Sequence, residues 1–201
     1  MLQTDGNDYQ VIQEACVEVR NVDGMVCEIG TYQGGGMKLL METFHSFEQT
    51  NRIFVAVDPY GDIVYHDING AHKCGYTNQV KNTFLKDIYT LSCDLNTYFL
   101  FFNMTDTQFF QRFKDGIPVY IDEELVYDKY ALVVIDGPHE INIVKSEFDF
   151  FKDRINKNGI IVFDDIEQYP HKLLHTYILN NGFETFRETG YKHAYKKVAW
   201  K

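Results

Sequence analysis

Met25-Val26-Cys27-Glu28-Ile29-Gly30-Thr31-Tyr32-Gln33-Gly34-Gly35-Gly36 decides the fold. An apolar run ends in an acid, a glycine follows, and three more glycines come four residues later. Met37 to Phe44 then shows helical spacing. The pattern reads as a buried strand, a tight glycine turn and a helix N-terminus. Glycine is needed where φ is positive or where a ligand lies against the backbone, and the first turn of a helix presents unpaired N–H groups. Such a loop cradles a nucleotide-like ligand.

Working outward, the same alternation repeats. Asn7–Arg20 has a helical stripe, and a helix is predicted over Gly34–Phe47. Arg52–Val57 is a second strand ending at Asp58, and Ile63–Gly75 is polar and reads as a loop or lid. Tyr76–Leu91 suits a helix, Thr97–Phe102 a third strand, and Thr105 or Asp106 caps a short helix through Phe113. Ile117–Tyr127, with Pro118 and the acidic run Asp122-Glu123-Glu124, reads as a small hairpin or an irregular insertion. Tyr130–Ile135 and Ile160–Phe163 are nearly unbroken apolar runs, as expected of strands buried on both faces of a parallel sheet. Helices are expected over Asn142–Ile155, stopped by Asn158-Gly159, and over Pro170–Leu179. Phe183–Phe186 and Ala194–Trp200 flank Thr189-Gly190 as a terminal antiparallel hairpin. Strands alternating with helices imply an α/β domain with a parallel sheet, and without a linker or repeat residues 1–201 read as one domain.

Composition narrows the function. The chain has 201 residues, 45% apolar and 24% charged, an ordinary globular balance. Its net charge of -10 argues against nucleic acid or an anionic membrane as partner, since both need clustered Lys and Arg. No apolar run approaches the roughly 20 residues of a membrane span, and Met1–Gly6 has no signal-peptide character. Cys16, Cys27, Cys74 and Cys93 form no CxxC pair, so reduced thiols and a cytoplasmic location are expected.

Five strands end in polar or glycine-rich tips: Glu28-x-Gly30, Asp58, Asn103 to Asp106, Asp136-Gly137 and Asp164-Asp165. In open α/β sheets the ligand lies beyond the carboxyl ends of the strands. Asp58 is placed to accept hydrogen bonds from ribose hydroxyls. Gly-x-Gly-x-x-Gly is absent because position 32 is Tyr, which suits a ligand without a pyrophosphate.

Glu28-Ile29-Gly30-Thr31-Tyr32-Gln33-Gly34-Gly35 resembles the first motif of class I S-adenosylmethionine-dependent methyltransferases. Together with Ile135-Asp136-Gly137-Pro138-His139 and Val162-Phe163-Asp164-Asp165, it resembles the macrocin O-methyltransferase and cephalosporin-hydroxylase-like branch. The resemblance covers roughly Met25 to Ile166. It implies a Rossmann-like fold with a mostly parallel seven-stranded sheet and a C-terminal antiparallel hairpin. It implies S-adenosylmethionine as cofactor, bound by Glu28, Gly30, Thr31, Tyr32, Gly34 and Gly35, by Asp58 at the ribose, by Thr105 and Asp106 near the adenine, and by Asp136. It further implies a divalent ion, Mg²⁺, on Asp136, Asp164 and Asp165, with His139 as the base beside Asp136. The expected acceptor is a hydroxyl of a small molecule, a sugar or another polyhydroxylated compound, and a homodimer fits small members of the family. Two rivals share the fold class: an NAD-dependent oxidoreductase, and a binding protein without catalysis. Three converging carboxylates raise one another's pKa unless a cation joins them, and oxygen ligands favour Mg²⁺. The helical pair His171 and His175 reads as surface or groove residues, and Lys145 as a helix lysine near the cleft.

Overall fold

The computed structural model describes residues 7–198 apart from Thr50, Asp62, Ile68, Cys74 and Asp122. Expectations for Met1–Gly6, Cys74, Asp122 and Trp200 therefore lie outside the described residues.

The chain runs α1 (Gln10–Glu18), β1 (Met25–Ile29), α2 (Gly35–His45), β2 (Ile53–Val57), β3 (Val64–Asp67), β4 (Gly70–Lys73), α3 (Asn78–Asp94), β5 (Tyr98–Phe102) and α4 (Asp106–Arg112). It continues β6 (Ile117–Tyr120), β7 (Glu124–Tyr127), β8 (Tyr130–Ile135), α5 (Ile141–Phe151), β9 (Ile155–Phe163), α6 (Lys172–Asn180), β10 (Phe183–Glu188) and β11 (His193–Lys197). Seven strands form one sheet in the order β10-β11-β9-β8-β1-β2-β5, with β3–β4 and β6–β7 as separate hairpins. β1 lies parallel to β2 and β8, while β11 runs antiparallel to β9 and β10. The mostly parallel sheet with its terminal antiparallel hairpin is the fold expected of the Rossmann-like class.

Alternation along the strands builds two cores. Cys27, Val55, Val133 and Ile161 face α4, α5 and α6, whereas Val26, Phe54, Leu132 and Val162 face α1, α2 and α3. Successive side chains of a strand point to opposite faces, so a strand covered on both sides is apolar throughout. β1, β2 and β8 are buried at every position. No helix among the described residues is long and apolar enough to cross a membrane. Cys16 and Cys27 are buried free thiols, and Cys93 is exposed.

Two expectations for the secondary structure change. Ile63–Gly75 is not a plain loop, because β3 and β4 pair within it, with Asp67 opposite Gly70 at φ +117°. The strand after α5 begins earlier than its apolar run. α5 stops at Phe151, and Ile155 already pairs with Tyr130. Asn158-Gly159 is an irregularity inside β9 rather than a helix stop, with Asn158 at φ +67° and the register shifting opposite Tyr130 and Leu132.

His171 is not a surface residue. It is buried with His193, and three imidazoles surround one phenol: His171 Nε2, His175 Nδ1 and His193 Nδ1 lie 2.9, 3.0 and 2.9 Å from Tyr195 Oη. Burial lowers His171 to about 3 and His193 to about 4. An unfolded histidine takes its proton near 6.5, so both contribute stability that is complete above that value. The contribution is lost as pH falls from about 6.5 toward the folded values, at about 1.4 kcal/mol per pH unit for each ring. Glu28, Asp136 and Glu147 titrate in the opposite sense, so the histidine part is best read directly. Nitrogen-15 NMR of the imidazoles is expected to show both rings neutral at pH 5. A ring titrating near 6.5 would contradict the packing described.

Candidate active site

The sheet reverses its direction of winding between β1 and β8, and a cavity of about 570 Å³ opens at their carboxyl ends. A ligand-sized crevice at this switch point is where open α/β sheets bind. Gly30, Tyr32, Asp58, Thr105, Asp106, Asp136, His139, Asp164 and Asp165 all line it. A larger hollow, about 720 Å³, lies near the other end of the strands around Met25 and Arg52 and contains none of these residues. There the Arg52 guanidinium binds the carbonyls of Val22 and Gly24 at 2.7 and 2.9 Å, a structural role.

Glu28, Thr31, Gly34 and Gly35 do not line the cavity and support its wall together with Asp58. Asp58 is buried and gathers the glycine loop. Thr31 N–H and Tyr32 N–H donate to its Oδ2 at 2.9 and 3.3 Å, and Tyr60 N–H donates to Oδ1 at 2.9 Å. Burial raises its pKa, and these donors pull it back. Gly34 at φ +84° begins α2, with Phe84 against its open side. Glu28 is buried beneath Gly36, and its Oε2 has no hydrogen-bond partner. Burial, and then the charges of Asp164 and Asp58, push its carboxyl well above the usual range. Thr105 accepts the Gln108 N–H and caps α4, while Gln108 returns the bond to the Thr105 N–H.

Asp136 follows β8 and Asp165 follows the end of β9. With His139 they form a group whose donor atoms all lie within 4.8 Å of one another. His139 Nε2 is 3.5 Å from Asp165 Oδ2. Burial, and then Asp164, Asp165 and Glu28, raise Asp136 well above the usual carboxylate range.

Of the three carboxylates expected at a metal, Asp136 and Asp165 group with His139, and Asp164 also lines the cavity. Asp164 continues the row of Ile160 and Val162, toward the α1 side of the sheet, and its carboxylate binds Lys192 Nζ. The Lys192 side chain is fully buried, with its ammonium 4.8 Å from the centre of the Tyr9 ring. The group that the structure brings together is Asp136, His139 and Asp165. Lys145 joins Asp149 at 2.6 Å and lies over the Tyr177 ring, apart from the cavity.

A family model described as a methyltransferase domain matches residues 27–166. The chain belongs to this methyltransferase family. An uncharacterized protein of Acanthamoeba polyphaga mimivirus is 24% identical over 161 residues, 80% of this chain. The chain spans about 60% of that curated relative's length. The O-methyltransferase NovP is similar in structure at 16% identity, covering 94% of this chain and 79% of its own, with a TM-score of 0.63. A calicheamicin methyltransferase is similar at 14% identity, 94% and 78% coverage and a TM-score of 0.62. The Bacillus cereus O-methyltransferase in complex with SAH is similar at 11% identity, 98% and 84% coverage and a TM-score of 0.67. At these identities the likeness concerns the fold.

The candidate site and its surroundings also contain residues with no local sequence signal. Tyr60, at φ +48°, donates its hydroxyl to the Tyr32 carbonyl at 2.6 Å and fixes the loop. Lys192 compensates Asp164 from a turn 28 residues later. Glu147 is fully buried in α5 with no motif around it to mark it, and among the described residues its oxygens meet only the Asp106 carboxyl.

Proposed function

We propose that the methyltransferase is an S-adenosylmethionine-dependent O-methyltransferase of one domain, acting on a hydroxyl of a small molecule, a sugar or another polyhydroxylated compound. The observation that carries this reading is Asp136, His139 and Asp165 grouped beside Gly30 in the cavity at the switch point. The cavity is ligand-sized, and Asp58 and Asp106 place carboxylates on its wall, acceptors that suit the hydroxyl and amino groups of a nucleoside. Glu28, Gly30, Thr31, Tyr32, Gly34 and Gly35 would hold the methionine part, directly or through the loop, Asp58 the ribose side, and Thr105 and Asp106 the adenine side.

S-adenosylmethionine supplies an electrophilic methyl group. His139 would take the proton of the acceptor hydroxyl as that oxygen accepts the methyl group, with S-adenosylhomocysteine as the leaving group. Asp165 faces the imidazole at 3.5 Å, so it orients the ring and stabilises the imidazolium formed. Alignment of oxygen and methyl within the cavity carries much of the rate in such a transfer. Asp136 and Asp165 are the carboxylates that would hold Mg²⁺, which lowers the pKa of a bound hydroxyl.

Among the described residues lining the cavity there is no Lys or Arg. A phosphorylated acceptor lacks the partners it needs there, which supports an acceptor without negative charge. Calorimetric titration tests the reading, with S-adenosylmethionine as ligand, NAD as control, and Mg²⁺ or EDTA present. Saturable binding of S-adenosylmethionine alone is expected, with a separate Mg²⁺ heat that disappears in Asp165→Ala. Binding of NAD in its place would overturn the assignment.

A further inference from the structure

Glu147 has no part in the transfer just described, yet it is fully buried directly behind the cavity wall. Both of its oxygens, and Oδ2 of Asp106, are buried without another donor. The Asp106 and Glu147 carboxyls face one another, and each acts on the titration of the other. Gly137 covers Glu147, since a Cβ on Gly137 would lie 3.1 Å from Glu147 Oε1. Two carboxylates cannot both remain ionised in such a place, because neither charge is solvated and they repel.

The two acids are not equivalent. Asp106 Oδ1 accepts the Thr107 N–H at 2.6 Å and the Thr107 hydroxyl at 3.3 Å, so the negative charge is stabilised on Asp106. Glu147 has no such donor. Asp106 lines the cavity, and Glu147 does not.

We propose that Glu147 is a positioning residue: it keeps its proton, donates it to Asp106, and thereby presents the Asp106 carboxylate to the cavity as a fixed hydrogen-bond acceptor for an amino group of the ligand. Replacing Glu147 by an apolar residue leaves Asp106 without its inner donor and free to turn from the wall. Replacing it by Gln keeps a donor at the same place. The proposal rests on the placement of the adenine near Asp106, and the test separates the two.

The probes are S-adenosylhomocysteine and its inosine analogue, in which a carbonyl oxygen replaces the exocyclic amino group. A carboxylate acceptor rejects the carbonyl, so wild-type protein is expected to prefer the adenosine form by at least about tenfold. Glu147→Gln is expected to keep that preference, and Glu147→Leu to reduce it to about threefold or less, with melting temperatures recorded for both. An infrared difference spectrum, wild type minus Glu147→Gln at pH 7, is expected to show one protonated carboxyl band. That band reports on Glu147 even if the adenine lies elsewhere. Its absence, or an unchanged preference in Glu147→Leu, would overturn the proposal. Failure of wild-type protein to bind either nucleoside would instead count against the methyl-transfer reading.

Discussion

Gly30→Ala is expected to abolish measurable S-adenosylhomocysteine binding and to lower the melting temperature by roughly 10 °C. Two effects add at this position. Gly30 sits at φ +79°, where an L side chain costs about 1–2 kcal/mol. Its missing Cβ is also the space taken by the Asp136 main-chain carbonyl. That neighbour is backbone at the tip of β8, tied through Asp136 N–H to the Ile29 carbonyl at 2.9 Å, and it has no rotamer to yield. Relief requires the tips of β1 and β8 to part, which adds about 1–3 kcal/mol of overpacking and moves the loop and Asp136 together. Gly61→Ala isolates the first effect, because Gly61 is at φ +97° and an added methyl there would meet nothing within 4 Å. It is expected to cost only about 1–2 kcal/mol and to leave binding intact. Thermal melts and calorimetry on both variants check this. Equal behaviour of the two would mean that the strand tips are not the constraint.

The legible part of the fold is the part written in apolar runs. Met25–Ile29, Tyr130–Ile135 and Ile160–Phe163 are buried on both faces, so they read as strands without tertiary information, and their polar tips marked the end of the sheet where the cavity lies. Short polar strands did not announce themselves. Val64–Asp67 and Gly70–Lys73 pair outside the main sheet, where no core enforces alternation. Ile155–Gly159 carries Asn, Lys and Gly because its middle is exposed and irregular, and it imitates a turn. In the site, Asp136, His139 and Asp165 follow recognisable strand ends. The rest depends on meetings of ordinary residues far apart in sequence. Glu147 looks like any helix glutamate, and Lys192 like a lysine in a surface turn. The network of His171, His193 and Tyr195 requires β11 to lie beside β9, which pairing alone establishes.

Lys192→Met is expected to destabilise the protein by about 3–5 kcal/mol at pH 7, more than any surface charge substitution. The side chains of Lys192 and Asp164 are 0% and 2% exposed. The gain from such a pair over two apolar residues is small, because both ions lose their hydration. The loss on removing one partner is large, because the other stays buried and charged. Here the cost is greater still. Asp164 acts electrostatically on both Glu28 and Asp136, and Lys192 relieves each of them. Without the ammonium, three acids at the end of the sheet lose the buried lysine that acts on them, and one or more would take a proton. Asp164 in the variant then has a folded pKa above its unfolded value. The penalty is full at neutral pH and fades as pH falls through that raised value, so the gap between variant and wild type should be smaller at pH 5 than at pH 7. The double variant Lys192→Met with Asp164→Asn removes the stranded charge and is expected to recover at least half of the loss. Urea unfolding of the two single variants and the double variant at both pH values decides the matter. A Lys192→Met variant as stable as wild type, or a double variant no better than Lys192→Met, would show that Asp164 is held by something other than this lysine. The pair also has a consequence for chemistry. With Asp164 drawn toward Lys192, Asp165 remains the member of the acidic pair that meets Asp136 and His139, so Asp165→Asn should impair catalysis far more than it impairs stability.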